Sequence, residues 1–114
     1  MLDSFKGQTK SADLSEQLAQ VITSGTNSPG RLFRDVETPI IIAESASGAR
    51  LVDVDGNEYI DFMMGLGPNI LGHSPEAVTK AIQEQLVKGS VFGINGKHEL
   101  ELASALVEAV PHID

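Results

Sequence analysis

The chain has 114 residues, a formal net charge of −8 and no cysteine. This length allows one domain with one modest core, and the missing cysteines exclude disulfides, thiolate metal sites and thiol catalysis. Sixteen acidic residues against eight basic ones argue against a nucleic-acid binder, which needs clustered Lys and Arg. No apolar run approaches the roughly 20 residues that span a bilayer, and the N-terminus has no secretory signal. We therefore expect a cytoplasmic protein without a membrane or nucleic-acid partner.

The first predicted element is a helix that follows a polar N-terminus. Ser11 or Asp13 can cap it, and Gly25 is expected to end it. Its apolar residues recur at helical spacing: Leu14, Leu18, Val21 and Ile22. Residues 26–39 contain two prolines and are expected to form an ordered loop, because Leu32, Phe33 and Val36 give it apolar side chains to bury.

Residues 40–62 predict a three-stranded antiparallel meander. The β-branched run Ile40–Ile42 starts it, Ser47 and Gly48 form a turn pair, and Asp55-Gly56 lies between two β-prone segments. Asp-Gly in this setting is a strong hairpin signal.

Residues 63–73 form an apolar loop with three Gly and one Pro, which we expect to press against other structure or a ligand. A helix should follow with Ser74 as its N-cap, and a last helix should run from Lys97 to Ala109. The residues expected to face inward on these two helices are Val78, Ala81, Ile82, Leu86, Leu100, Ala103, Leu106, Val107 and Val110. The predicted fold class is α+β as the chain stands: an N-terminal helix, the meander and two further helices.

Several familiar ligand motifs fail on spacing. A calcium loop that begins at Asp53 would need Gly and Glu where the chain has Glu58 and Met64. A dinucleotide-binding loop that begins at Gly65 would need Gly where the chain has Ile70. The three histidines (His73, His98 and His112) share no metal-ligand spacing. No metal site and no nucleophile–base pair is therefore expected.

Arg31 admits two interpretations from its chemistry. It follows Ser28 in a loop stiffened by Pro29, and an Arg fixed beside a hydroxyl can bind a carboxylate with both of its terminal nitrogens. The simpler interpretation, a surface ion pair with a nearby Asp or Glu, is favoured on chemistry alone.

Three runs in order, LVDVDGNEYIDF, GLGPNILGH and SPEAVTKAI, resemble the N-terminal region of class III pyridoxal-phosphate aminotransferases. The upstream TNSPGRLFR is similar to the glutamate-1-semialdehyde 2,1-aminomutase branch, and Val91-Phe92-Gly93 resembles a loop of that branch. The resemblance covers residues from about 14 to 114 and implies a fragment of a fold-type I transferase. It implies that residues 1–62 belong to the small domain of that fold, and that residues 63–114 form the first part of a truncated large domain.

The resemblance also implies substrate-side residues. Ser28 and Arg31 match positions that help hold the substrate carboxylate, which reverses the preference for an ion pair. Leu66 stands where that branch usually has Trp beside the substrate, and this departure leaves the exact substrate open. Ile94-Asn95 is a second departure, in a loop near the active site.

The same resemblance implies pyridoxal 5'-phosphate as the cofactor. In the family, the phosphate-binding segment, the Schiff-base lysine and the Asp that faces the pyridine nitrogen lie further along the chain. No catalytic residue is therefore expected here, and Lys80, Lys88 and Lys97 lack the family's lysine context. We do not expect this chain to hold the cofactor or to catalyse transamination alone.

The functional expectation is the N-terminal part of an aminotransferase or aminomutase that acts on an amino acid or an amino-aldehyde. The missing portion, or a partner chain of the same enzyme, would complete it, and the complete enzyme would be a homodimer. The alternative is a non-catalytic truncated fragment or partner subunit that associates with a full-length relative. A third possibility is an unrelated small α+β binding module.

Overall fold

The computed structural model describes residues 6–32 and 40–113. The elements are α1 (Thr9–Val21), β1 (Ala43–Ser47), β2 (Arg50–Asp53), β3 (Glu58–Ile60), α2 (Glu76–Leu86) and α3 (Lys97–Ala109). Short 3₁₀ turns lie at Thr23–Gly25, Pro29–Arg31 and Met64–Leu66. This set confirms the expected helix, meander and two further helices. The chain divides into two compact units, residues 1–76 and 77–114. In the described part of the chain, no helix is long and apolar enough to cross a membrane.

The meander is antiparallel in the order β1-β2-β3. Leu51 pairs with Tyr59 across the Asp-Gly turn, which confirms the predicted hairpin. The first strand begins at Ala43, so the prediction that Ile40–Ile42 starts it is wrong. β2 ends at Asp53, which lies opposite Ala43. The residues before Ala43 therefore have no partner strand in the sheet. The Ile42 carbonyl still accepts the Val54 N–H at 2.9 Å.

The start of α1 differs from the prediction because its cap is remote in sequence. The helix begins at Thr9, before both predicted caps. The Asp55 carboxylate, from the β2–β3 turn, accepts the N–H groups of Lys10 (2.8 Å) and Ser11 (3.0 Å) and the Ser11 hydroxyl (2.7 Å). The first N–H groups of a helix lack intrahelical partners, and here a side chain more than forty residues away supplies them.

α3 has the predicted bounds, but the apolar faces of α2 and α3 are exposed rather than buried. Val78 is 41% exposed and Leu100 is 73% exposed. Among the described residues, no apolar side chain is fully buried. The inward-facing prediction is therefore wrong for the described residues of this chain.

The predicted N-cap Ser74 plays a different role, and the predicted ordered loop lies partly outside the described residues. Ser74 has φ = 51° and donates its hydroxyl to the Ala46 carbonyl at 3.3 Å, so its side chain binds the sheet, whereas an N-cap residue is usually extended. Phe33 and Val36, expected in the ordered loop, lie outside the described residues.

Candidate functional site

The β2–β3 turn is organised around the carboxylate of Asp53, which is 1% exposed. Its Oδ1 accepts the N–H groups of Asn57 (2.7 Å) and Asp55 (3.0 Å). Its Oδ2 accepts the Asn57 side-chain amide (3.0 Å) and the Tyr59 hydroxyl (2.8 Å). Burial raises the pKa of Asp53, but the hydrogen bonds from Asn57, Tyr59 and Asp55 outweigh it and leave the pKa below its ordinary value. The motif that suggested a calcium loop is thus a structural turn.

The same turn ties down the chain before α1. The Asn57 side chain accepts the Lys6 N–H at 2.6 Å and donates to the Gly7 carbonyl at 2.8 Å. Burial raises the pKa of Asp55, and the hydrogen bonds from Ser11 and Lys10 lower it by more. The Asp-x-Asp-Gly-Asn segment therefore anchors the N-terminal helix that precedes the Ser28–Arg31 turn.

Ser28 and Arg31 lie together in a short hydrogen-bonded turn. The Arg31 N–H donates to the Ser28 carbonyl at 3.0 Å, and the Leu32 N–H donates to the Pro29 carbonyl at 3.2 Å. The Thr26 hydroxyl accepts the Ser28 N–H at 3.4 Å. The sequence motif therefore becomes a 3₁₀ turn that fixes the spacing of the two residues.

Arg31 is exposed and keeps its guanidinium accessible. No carboxylate in residues 6–32 or 40–113 forms an ion pair with it. Asp35 and Glu37 lie outside the described residues. Arg31 thus has no ion-pair partner among the described residues, and the geometry of its guanidinium is suited to a carboxylate from outside the chain.

Leu66 lies in the apolar glycine-rich loop and is 81% exposed. Residues 64–67 all have positive φ, and two of them, Met64 (46°) and Leu66 (65°), are not glycine. A non-glycine residue in this region costs about 1–2 kcal/mol, and such strain persists where the surroundings impose it. The Asp61 carboxylate does so here, since its Oδ1 accepts the N–H groups of Met63 (2.7 Å) and Met64 (3.0 Å).

The far end of this loop is held by His73. Its Nε2 lies 2.6 Å from Asp61 Oδ2, and its Nδ1 lies 3.3 Å from the Asn69 amide nitrogen. Its backbone forms a two-way bridge with Gly48, at 2.8 and 3.0 Å. The hydrogen bond from His73, together with those from Met64 and Met63, holds the pKa of Asp61 below its ordinary value.

Neither Asp61 nor His73 was predicted from the sequence to be a functional residue. A signal was present, since the two residues flank an otherwise apolar loop, one directly after β3 and the other directly after Gly72. The three predicted site residues are placed in two turns: Ser28 and Arg31 in the first, Leu66 in the second. Within the described residues, no hydrogen bond or ion pair joins the first turn to the second.

The second unit carries an open apolar groove of about 430 Å³. It is lined by Ala77, Val78, Ala81, Ile82, Gln85 and His98. His98 contacts Glu101 at 2.6 Å and Gln85 at 3.1 Å, so both of its ring nitrogens already have partners. The groove therefore offers apolar surface rather than reactive groups, and no metal-binding cluster is found in the described part of the chain.

Residues 33–114 match the family model for aminotransferase class III. The chain belongs to the class III aminotransferases. Over 94% of its length it is 44% identical to glutamate-1-semialdehyde 2,1-aminomutase 2 from an Exiguobacterium species. It covers 25% of that protein, so the chain spans about a quarter of the length of the curated relatives it matches.

Solved structures agree with this family assignment. An omega-transaminase from Sphaerobacter thermophilus is 33% identical and superposes with a TM-score of 0.81, over 91% of this chain and 23% of that one. A transaminase with bound pyridoxal phosphate is 35% identical with a TM-score of 0.76, over 87% and 23% of the two chains. Class III aminotransferases are pyridoxal-phosphate enzymes, and the resemblance in the sequence is confirmed.

A pyridoxal-phosphate site needs a lysine for the Schiff base and an acidic or basic partner for the pyridine nitrogen. All five lysines of the chain are exposed, and Lys97 pairs with Glu101 at 3.6 Å.

Proposed function

We propose that this chain is the N-terminal part of a pyridoxal-phosphate-dependent aminotransferase or glutamate-1-semialdehyde 2,1-aminomutase-like enzyme. Its role is to supply substrate contacts through Ser28, Arg31 and Leu66. The observation that carries the proposal is Arg31, an exposed arginine in a hydrogen-bonded turn with no carboxylate partner in the described residues.

Arg31 binds the substrate carboxylate in this proposal. A guanidinium presents its N–H groups in a planar fork that matches a carboxylate, and a charge-assisted pair of this kind is directional. The Ser28 hydroxyl donates a further hydrogen bond to the same group. The substrate is an amino acid or an amino-aldehyde, and Leu66 forms part of the wall beside it.

The rest of the enzyme supplies what this chain lacks. The cofactor is pyridoxal 5'-phosphate, which acts as an electron sink when bound. Its lysine and phosphate-binding groups come from the remaining portion of the protein or from a partner chain, in a cytoplasmic homodimer. Residues 1–62 belong to the small domain and residues 63–114 to the large domain of that enzyme.

A second candidate function is favoured by the exposed apolar faces. Leu100 is 73% exposed, and Ile70 in the glycine-rich loop is 90% exposed. Large apolar side chains exposed in this way can mediate association. A non-catalytic partner subunit, bound to a full-length relative through these faces, would use them without any substrate contact.

The test is the substitution Arg31→Ala in the complete enzyme, with Arg50→Ala as the matched control. Arg50 forms an exposed ion pair with Glu58 on neighbouring strands and has no assigned substrate role. A hydrogen bond to a charged group contributes about 1.5–3 kcal/mol, so Arg31→Ala should lower kcat/KM for a carboxylate-bearing substrate about tenfold to a hundredfold. The matching amine without the carboxylate should be used as well as before.

Two outcomes would contradict the proposal. If Arg31→Ala lowers kcat/KM for both substrates equally, its effect is not on the carboxylate. If neither Arg31→Ala nor Arg50→Ala changes the kinetics, Arg31 behaves as a surface cation, whose ion pairs contribute only about 0–1 kcal/mol. The second result, with intact binding to a full-length relative, would favour the partner-subunit function.

A further inference from the structure

The glycine-rich loop is clamped by a side-chain pair that joins its two ends. Asp61 directly follows β3, and His73 lies twelve residues later. His73 Nε2 and Asp61 Oδ2 are 2.6 Å apart, and both side chains are largely buried, with 19% and 11% of their surface exposed. The pair therefore fixes the span of the loop that carries Leu66.

The hydrogen bonds of this pair are satisfied by one tautomer of the imidazole. With the proton on Nε2, His73 donates to Asp61, and its Nδ1 accepts from the Asn69 side-chain amide at 3.3 Å. The other Asp61 oxygen accepts the Met63 and Met64 N–H groups at 2.7 and 3.0 Å. One carboxylate thus links the imidazole to the backbone at the point where the loop becomes left-handed.

The conformation around Leu66 depends on that link. Met64, Gly65, Leu66 and Gly67 have φ values of 46°, 67°, 65° and 113°, which L-residues rarely adopt without external support. The Leu66 N–H donates to the Met63 carbonyl at 2.8 Å, so a shift at Met63 moves Leu66 directly. The His73 backbone is in turn held to Gly48 at the sheet.

We propose that Asp61 and His73 are positioning residues that hold the glycine-rich loop so that Leu66 faces the substrate. This inference rests on the proposed function, because it takes Leu66 as part of the substrate wall. Neither residue touches the substrate itself. Their effect on the reaction passes through the backbone of Met63 and Met64.

The experiment compares His73→Ala, His73→Gln and Leu66→Ala in the complete enzyme, with His98→Ala as the control. A glutamine amide can place a donor close to the position of Nε2, so His73→Gln keeps the bond to Asp61. Two quantities are measured: amide hydrogen exchange of Met63 and Met64, and KM and kcat for the amino substrate. The absorbance of bound cofactor reports whether each variant is loaded.

We expect His73→Ala to speed exchange of the two amides at least tenfold and to raise KM about tenfold, with kcat within threefold and cofactor absorbance unchanged. His73→Gln should restore both quantities toward those of the parent enzyme, and His98→Ala should change neither. If His73→Ala leaves the Met63 and Met64 amides protected, the pair does not hold the loop and the inference is overturned.

The Leu66→Ala variant separates failure of the inference from failure of the proposed function. If Leu66→Ala raises KM while His73→Ala speeds amide exchange without raising KM, Leu66 does contact the substrate but the positioning role of Asp61 and His73 is wrong. If Leu66→Ala leaves KM unchanged, the substrate role of Leu66 is wrong and the positioning role falls with it. The Arg31→Ala comparison tests the carboxylate-binding part of the proposed function independently of Leu66.

Discussion

The buried carboxylate of Asp53 gives the sharpest quantitative prediction. The substitution Asp53→Asn keeps one acceptor oxygen for the backbone N–H groups of Asn57 and Asp55 but places an NH₂ group opposite the Asn57 side-chain amide, at a pair now 3.0 Å apart. The Tyr59 hydroxyl, which also donates to Asp53 Oδ2 at 2.8 Å, can rotate and accept from the new NH₂ group. The bond from the Asn57 amide has no such alternative, and its loss amounts to about 1.5–3 kcal/mol. Asp53→Ala removes the acceptors of all four hydrogen bonds and should destabilise the turn more than Asp53→Asn does.

Amide hydrogen exchange measures this loss locally. Because exchange through local opening follows the free energy of that opening, the Asn57 amide should exchange roughly 10 to 150 times faster in Asp53→Asn. The Lys10 and Ser11 amides should follow, since their acceptor Asp55 lies in the same turn. Glu44→Gln, at an exposed position of β1, removes a carboxylate of the same sheet and is the control.

The result that would refute this reasoning is equal exchange at Asn57 in Asp53→Asn and Glu44→Gln. The hydrogen bonds of the Asp53 carboxylate would then contribute no more than an exposed surface charge. Faster exchange at Asn57 with unchanged exchange at Lys10 would instead show that the turn and the helix cap open independently.

Three further predictions follow from the glycine-rich loop and the exposed surface. Gly72→Ala should destabilise the loop more than Gly93→Ala, since both glycines have positive φ but a Cβ at Gly72 would lie 3.1 Å from the Gly48 backbone, whereas Gly93 has open space; equal thermal shifts would contradict this. Asp53 and Asp61 have folded-state pKa values below the ordinary 3.8. The two carboxylates therefore contribute fully to stability at pH values above 3.8, and this contribution is lost as the pH falls through the lowered pKa values. Native amide chemical shifts in the Asp53 turn should therefore hold from pH 7 to about pH 5 and change below about pH 4; a change between pH 5 and 7 would point to other groups. The chain by itself should bind a hydrophobic dye and self-associate with rising concentration, and a monodisperse monomer without dye binding would contradict that expectation.

Much of the fold could be predicted because its signals are local. The Asp55-Gly56 turn between β-prone segments predicted the hairpin, and the apolar spacing predicted α3 with its observed bounds. The family resemblance rested on ordered motifs, and the match over residues 33–114 confirms it. The 3₁₀ turn at Pro29–Arg31 lies in a segment that was predicted only as an ordered loop, and its proline suits the start of a short helix.

The candidate site was less predictable, because its geometry depends on residues distant in sequence. The cap of α1 comes from Asp55, and the glycine-rich loop is held by Asp61 and His73 across twelve residues. The pattern of α2 and α3 could show which side chains share a face, but not whether another element covers that face. The resemblance implied that the covering elements of the family are missing here, and the structure shows the face exposed, with Leu100 at 73%.

The amino-acid sequence by itself determined the kinds of element, their order, the hairpin and the family. The elements, their order and the hairpin arise from neighbouring residues, through turn chemistry and the periods of helices and strands, whereas the family was recognised from the resemblance of ordered motifs. The tertiary structure alone decided the start of α1, the strained backbone at Met64 and Leu66, and the pairing of Asp61 with His73. These depend on hydrogen bonds between segments that meet only after the chain has folded, and periodicity in the sequence carries no record of which carboxylate reaches which N–H group.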